Sequence, residues 1–324
     1  MSRNEDREEV EETSEEEVYE EEKSEEEIEE TRVKARASSR VKEVEYAIIR
    51  VSTGIEELDE VLSGGVPKGS WVVIGGEPGT GKTIMAIHFA WAGLESNDKV
   101  IYVTTEQEFW DVVKQAQQFG INFREYNIVN LSDLVTYSKK EKEYKLEQPE
   151  EKPDIVVIDL FGLARINKLI AQEVEEGKKK GGLPWSYQTL INALNKVYNE
   201  VLDVEKTQHV RLIIDSISVL WAHAPAMARR ISYQLKLAYH RSNITALLTS
   251  QYAMTTKSIF GFGIEHIADV VIETWMSDVK SEKRVERYLV IKKARMTPLP
   301  ERPIFKIVFE RSGEGYYRVR LVPT

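Results

Sequence analysis

The 324-residue sequence contains no cysteine, which excludes disulfide frameworks, thiolate metal sites and cysteine nucleophiles. No uninterrupted apolar run approaches the roughly 18 residues that a membrane-spanning helix needs. The N-terminus shows no apolar h-region of the kind a secretory signal carries. A soluble, cytoplasmic protein without a membrane partner is therefore expected. Histidine is scarce too: His88, His209, His223, His240 and His266 never fall at metal-ligand spacing, so packing or surface roles are expected for each.

What is present is ordinary for a globular chain, with 30% charged and 42% hydrophobic residues. The net charge of −10 is unevenly spread, because residues 1–30 hold 17 Asp/Glu against 3 Lys/Arg. Residues 31–45 carry a balance of +3, which leaves the rest of the chain near +1. Blocks of like charge with few apolar residues cannot offset the entropy of ordering. Residues 1–45 are thus expected to be an acidic, then basic, disordered tail. Such a tail serves solubility, or acts as an electrostatic decoy or a contact for a basic protein partner.

Residues 46–324 are expected to fold as one domain. Apolar strands at 71–75, 100–104, 155–159, 210–215 and 245–250 alternate with amphipathic helical patterns at 84–94, 109–119, 186–202 and 226–241. This alternation predicts an α/β fold with a mostly parallel central sheet and helices on both faces. Further strands at 270–273, 287–293, 304–310 and 316–321 lack long intervening helices and predict a C-terminal antiparallel extension. Polar stretches near 136–153 and 173–184 read as surface insertions. No internal repeat is visible, so one nucleotide-binding core is expected.

The most informative residues are Gly76, Glu77, Pro78, Gly79, Thr80, Gly81, Lys82 and Thr83, which satisfy the phosphate-loop pattern G-x-x-x-x-G-K-[ST]. An apolar strand precedes them and a helix opening at Ile84 follows, the context the motif requires. The loop's N–H groups and the positive helix end suit phosphate oxygens. Lys82 is expected to reach the β- and γ-phosphates of ATP, and Thr83 to ligate Mg²⁺.

A second Mg²⁺-organising group should be an Asp closing a buried strand. Asp159 and Asp215 both qualify; Asp215 is favoured because its strand sits one before 245–250, the order expected around the loop strand. Hydrolysis also needs a group that positions or deprotonates water. Glu106 stands at a strand's carboxyl end, where ligands of open α/β sheets bind, and its neighbours Gln107 and Glu108 remain alternatives. Gln251, ending another strand, is placed to sense a γ-phosphate.

With those residues in place, the chain resembles the RecA-like ATPases and, within them, the KaiC-domain family. TGIEELDEVLSGGVPKGSWVVIGGEPGTGKT is similar to the family's phosphate-loop region, VTTEQ to its catalytic-Glu segment and LIIDSISVL to its Asp-bearing strand. FGFGIEHIADVVI, IKKAR and the pair PAMARRISYQLK and TSQYAMTT extend the likeness toward archaeal single-domain members described as RadA paralogues. The resemblance spans about residues 46–310. It implies homo-oligomers, either rings such as hexamers or filaments, with ATP between subunits. Lys293 and Arg295 would then reach a neighbour's γ-phosphate.

The departures matter as well. Glu106-Gln107 stands where clock-type members carry paired glutamates, and no helix-hairpin-helix module precedes the core. The resemblance supports a DNA-binding modulator of homologous recombination or repair, with Arg229, Arg230, Lys257, Phe260 and Phe262 as contacts to single-stranded DNA. The alternative is a nucleotide-dependent oligomeric switch acting on a protein partner without DNA. Autophosphorylation of a nearby Ser or Thr is a third reading.

Overall fold

The computed structural model describes residues 47–159, 187–202, 208–221, 227–251, 264–277 and 285–324. The expected tail over 1–45, the expected insertion over 173–184, and Lys257, Phe260, Phe262 and His223 lie outside the described residues. By its internal contacts the chain divides into Met1–Ala47 and Ile48–Thr324, and the second unit carries the sheet and its helices.

The strands are β1 (Arg50–Val51), β2 (Val66–Pro67), β3 (Trp71–Gly76), β4 (Lys99–Thr104), β5 (Ile128–Asn130), β6 (Val135–Ser138) and β7 (Glu143–Leu146). They continue with β8 (Ile155–Ile158), β9 (Val210–Asp215), β10 (Ile244–Gln251), β11 (Val270–Met276), β12 (Arg287–Ala294), β13 (Ile304–Arg311) and β14 (Tyr317–Pro323). The α-helices described are α1 (Glu56–Val61), α2 (Lys82–Glu95), α3 (Phe109–Gln118), α4 (Leu131–Leu134), α5 (Tyr187–Lys196) and α6 (Ala228–Tyr239).

Among the described residues, ten strands form one sheet in the order β14-β13-β12-β11-β3-β10-β9-β4-β8-β5. Pairing is parallel from β5 to β11 and antiparallel from β11 to β14. The expected α/β fold with its antiparallel extension is therefore present. Edge strand β5 was not legible, because its three residues carry no period of their own.

The central strands read as continuous apolar runs because both of their faces are covered. In β3, Trp71 and Val73 join one core while Val72 and Ile74 join the other. The first core takes Leu190 and Leu194 from α5 with Ile231 and Leu235 from α6. The second takes Ile87 and Phe89 from α2 with Val112 and Ala116 from α3. At about 1.5–3 kcal/mol per fully buried large apolar side chain, these two layers fix the register of every central strand.

Two details differ from the simple pattern. The helix expected over 186–202 is α-helical only to Lys196 and continues as a π-helical turn, Val197–Val201. The polar stretch near 136–153 contains the hairpin β6–β7, whose Tyr144 and Leu146 pack against the first core.

Candidate nucleotide site

β3 ends at the carboxyl edge of the parallel sheet and passes directly into the loop that caps α2. Gly76 approaches β11 so closely that a Cβ there would stand 2.0 Å from the Thr274 carbonyl oxygen. Gly81 caps α2 at φ 101°, a left-handed conformation that glycine adopts without a steric penalty. These two positions explain why the loop sequence needs glycine at its ends.

The remaining loop residues divide between holding the loop and lining the cleft. Thr80 is fully buried, and its hydroxyl bonds the Glu77 carbonyl at 2.9 Å and the Thr274 hydroxyl at 2.8 Å. The Glu77 carboxylate accepts the Met276 N–H at 3.0 Å, and the Gly79 carbonyl accepts from Arg287 Nε at 2.9 Å. Pro78, Gly79, Gly81, Lys82, Thr83 and Ile84 form one wall of a cleft of about 310 Å³. The Lys82 ammonium crosses the loop, donating to the Gly76 and Glu77 carbonyls at 3.0 and 2.7 Å. Burial pulls its pKa down to about 8, opposed by the carboxylates of Asp215, Glu106 and Glu77.

The facing wall comes from β4, β9 and β10. Asp215 ends β9, two strands from β3, and is buried. Its Oδ1 accepts from the Thr249 hydroxyl at 2.5 Å, and the Thr83 hydroxyl bonds it as well. Burial raises the Asp215 pKa, while the bonds from Thr249 and Thr83 and the charge of Lys82 lower it. The Asp215–Ser216 peptide is cis, and Ser216 exchanges two hydrogen bonds with the Thr105 hydroxyl at 2.8 and 2.9 Å. Asp159 takes no part: it follows β8 near the sheet edge and accepts from Asn130 Nδ2 at 2.9 Å.

Glu106 also lines the cleft, and Gln251 Nε2 donates to its Oε2 at 2.6 Å. Partial burial and the nearby Asp215 charge raise the Glu106 pKa from its ordinary value, opposed by Ser216, Lys82 and Gln251. Its neighbours Gln107 and Glu108 do not line the cleft. The Gln107 side-chain oxygen accepts from Gln115 Nε2 at 2.9 Å, while Glu108 occupies the N-cap of α3.

Lys293 and Arg295 do not reach this cleft. They flank the end of β12, beside Asp269, whose Oδ2 accepts the N–H of Trp71 at the opposite end of β3. Five residues of strand separate that end from Gly76, about 17 Å at ~3.3 Å per residue. Arg295 pairs with Asp269 at 3.0 Å, and Lys293 Nζ donates to the Glu265 and Ala268 carbonyls at 3.1 and 2.6 Å. Arg229 and Arg230 are exposed on α6, beside a separate groove of about 550 Å³ that also takes Tyr233, His266 and Ile267.

The cleft contains further residues that the sequence did not single out. Thr249 stands two residues before Gln251, so the strand period places both side chains on one face. Tyr102 does not line the cleft but supports it from the core, its buried hydroxyl standing 3.4 Å from Asp215 Oδ2. Phe309 reaches the cleft from the antiparallel extension. Strand register would have revealed the first two, but no local motif points to the third.

A phosphate-type loop at the end of a central parallel strand, facing a carboxylate two strands away, defines a P-loop protein of the RecA-like α/β class. The chain belongs to the KaiC ATPase family, which matches it over residues 51–166 and 162–313. It is 34% identical over 271 residues to a UPF0273 protein of Methanopyrus kandleri, covering 83% of this chain and 91% of that one. To a UPF0273 protein of Thermotoga maritima it is 32% identical over 255 residues, covering 77% and 88%. Its fold is similar to that of a KaiC-like protein from Pyrococcus horikoshii, with a TM-score of 0.58 at 21% identity, over 86% of this chain and all of that one. Among the described residues no helix is long and apolar enough to cross a membrane.

Proposed function

We propose that this chain binds ATP with Mg²⁺ in the 310 Å³ cleft and hydrolyses it. The carrying observation is that Lys82, Asp215, Glu106 and Gln251, from four separate elements, all face that one space. Loop N–H groups and the start of α2 would hold the phosphates, with Lys82 offsetting their charge. The hard oxygen donors of Thr83 and Asp215 fit Mg²⁺, which needs only one or two protein ligands besides phosphate and water. When bound, that ion supplies charge neutralisation at the phosphates.

Glu106 would orient the attacking water and take its proton; its raised affinity for protons suits a general base. Gln251 holds the Glu106 carboxylate in place and would exchange that bond for one to the γ-phosphate. ATP turnover and binding in Lys82→Ala test this reading. Loss of binding or a drop of about 100-fold or more in turnover is expected, and full retained turnover would refute it.

Two assembly features belong to the same proposal. Lys293 and Arg295 lie far from their own cleft, which suits action on the nucleotide of an adjoining copy in a homo-oligomer. Mixing Arg295→Ala with Glu106→Gln subunits should then partly restore turnover, and no rescue in confirmed mixed assemblies would refute action in trans.

The DNA reading, and with it a role in recombination or repair, has one supporting observation. Arg229, Arg230 and the exposed Tyr233 surround an open groove that could take phosphate and a stacked base. Single-stranded DNA binding at low salt that weakens as salt rises, and weakens further in Arg229→Ala/Arg230→Ala, is expected. No binding at low salt would leave the alternative, a nucleotide-dependent switch on a protein partner.

A further inference from the structure

The cleft has one aromatic wall that its phosphate chemistry does not use. Phe309, on β13, lines the same cavity as Lys82, Thr83 and Ile84. A Cβ placed on Gly81 would stand 3.2 Å from the Phe309 Cζ, so the ring meets the loop where α2 begins. The ring stays partly exposed although large apolar side chains gain by full burial.

Its position is held from two further sides. Phe119 meets it in a T-shaped pair at 5.3 Å between ring centroids. The Arg287 guanidinium lies 5.1 Å from the Phe309 centroid, and its Nε donates to the Gly79 carbonyl at 2.9 Å. Arg287 pairs with Ile307 across β12 and β13, and Phe309 follows two residues later, so both side chains project from one face of the extension. A single residue thus ties the aromatic ring to the loop.

We propose that Phe309, held by Arg287, is the platform on which the base of the bound nucleotide packs. This rests on the cleft being a nucleotide site and adds the recognition of the base. A nucleotide whose terminal phosphates occupy the loop must lead its sugar and base out past the first turn of α2. Phe309 and Ile84 supply the apolar surface of the cleft beside that turn. Aromatic stacking is tolerant of base identity, so the platform accepts the base as a flat π-surface and does not read its edge.

The experiment compares binding of ATP and of inorganic tripolyphosphate, which has the phosphates but no base, by calorimetry. The proteins are the unaltered chain, Phe309→Ala, Phe309→Leu and Phe309→Trp. Loss of stacking should weaken ATP binding by about tenfold or more in the Ala and Leu variants. Tripolyphosphate should stay within about twofold of the unaltered chain, and the Trp variant should keep its ATP affinity. The Leu variant retains most of the apolar volume, so it gives the readout if the Ala variant fails to fold.

Equal losses for ATP and tripolyphosphate would overturn the platform and leave Phe309 a support for the loop. Unchanged ATP binding in both variants would overturn it outright. If the unaltered chain binds neither compound, the nucleotide site itself fails, a result distinct from either of these.

Discussion

Gln251 Nε2 donates a 2.6 Å hydrogen bond to Glu106 Oε2, bridging the ends of β10 and β4 across the mouth of the cleft. The two carboxyl-edge residues are otherwise separated by β9, which carries Asp215. This bond restrains the side chain proposed as the base and connects it to the residue proposed to contact the γ-phosphate. Gln251→Ala is expected to leave ATP affinity within a few-fold while lowering kcat by about tenfold or more. Steady-state turnover with a parallel binding measurement checks this; a change in affinity alone would assign Gln251 to ground-state binding.

Thr249 holds Asp215 by a 2.5 Å bond inside the sheet, and its side chain is fully buried. Thr249→Val keeps the shape and removes the donor. A hydrogen bond to a charged group contributes about 1.5–3 kcal/mol, so the Asp215 carboxylate should become harder to ionise and to orient. The variant should need about tenfold or more Mg²⁺ for half-maximal turnover. An unchanged Mg²⁺ titration would contradict the metal role given to Asp215.

Gly93 and Arg211 make a packing pair on the far side of α2. A Cβ on Gly93 would lie 2.4 Å from Arg211 Cδ and 2.6 Å from its Nε. Arg211 is 1% exposed and pairs with Asp98 at 2.8 Å, while its Nη1 donates to the Ser52 and Phe89 carbonyls. Gly93→Ala must displace this charge from its partners and should cost at least about 2 kcal/mol. Chemical denaturation would show it as a lower midpoint, and an unshifted midpoint would refute the pairing.

His88 on α2 gives the fold an acid limb. Burial pulls its pKa from 6.5 down to about 4, opposed by a hydrogen bond with the Gly54 backbone. The folded chain keeps the ring neutral where the unfolded chain takes up a proton. The resulting stability is complete above pH 6.5 and is lost as pH falls toward 4. From pH 6.5 to about 5 the loss is about 2 kcal/mol at ~1.4 kcal/mol per pH unit. His88→Leu should flatten this part of the stability–pH curve, and an identical slope in both proteins would remove His88 as its source.

The parts of the site that could be read from sequence are those carried by consecutive residues. The loop from Gly76 to Thr83 needs only a strand before it and a helix after it, and Asp215 ends a buried apolar strand. Glu106 was one of three neighbouring candidates in the sequence, and of the three it is the one whose residue lines the cleft. Thr249 follows from the two-residue period of the strand that ends at Gln251, whereas Phe309 and Arg287 reach the cleft only through the pairing of β12 with β13, which no local pattern encodes. Tyr144 and Leu146 were hidden for another reason, since their alternation with Glu143 and Lys145 is only four residues long and lies within a charged stretch.

The proposed hydrolysis of ATP in this cleft depends above all on Glu106 as the group that activates water. The most direct measurement is single-turnover ATP hydrolysis by the unaltered chain and by Glu106→Gln, with nucleotide binding measured on both. Equal binding and a fall of about 100-fold or more in the hydrolysis rate are expected for the variant. Equal hydrolysis rates would contradict that role of Glu106.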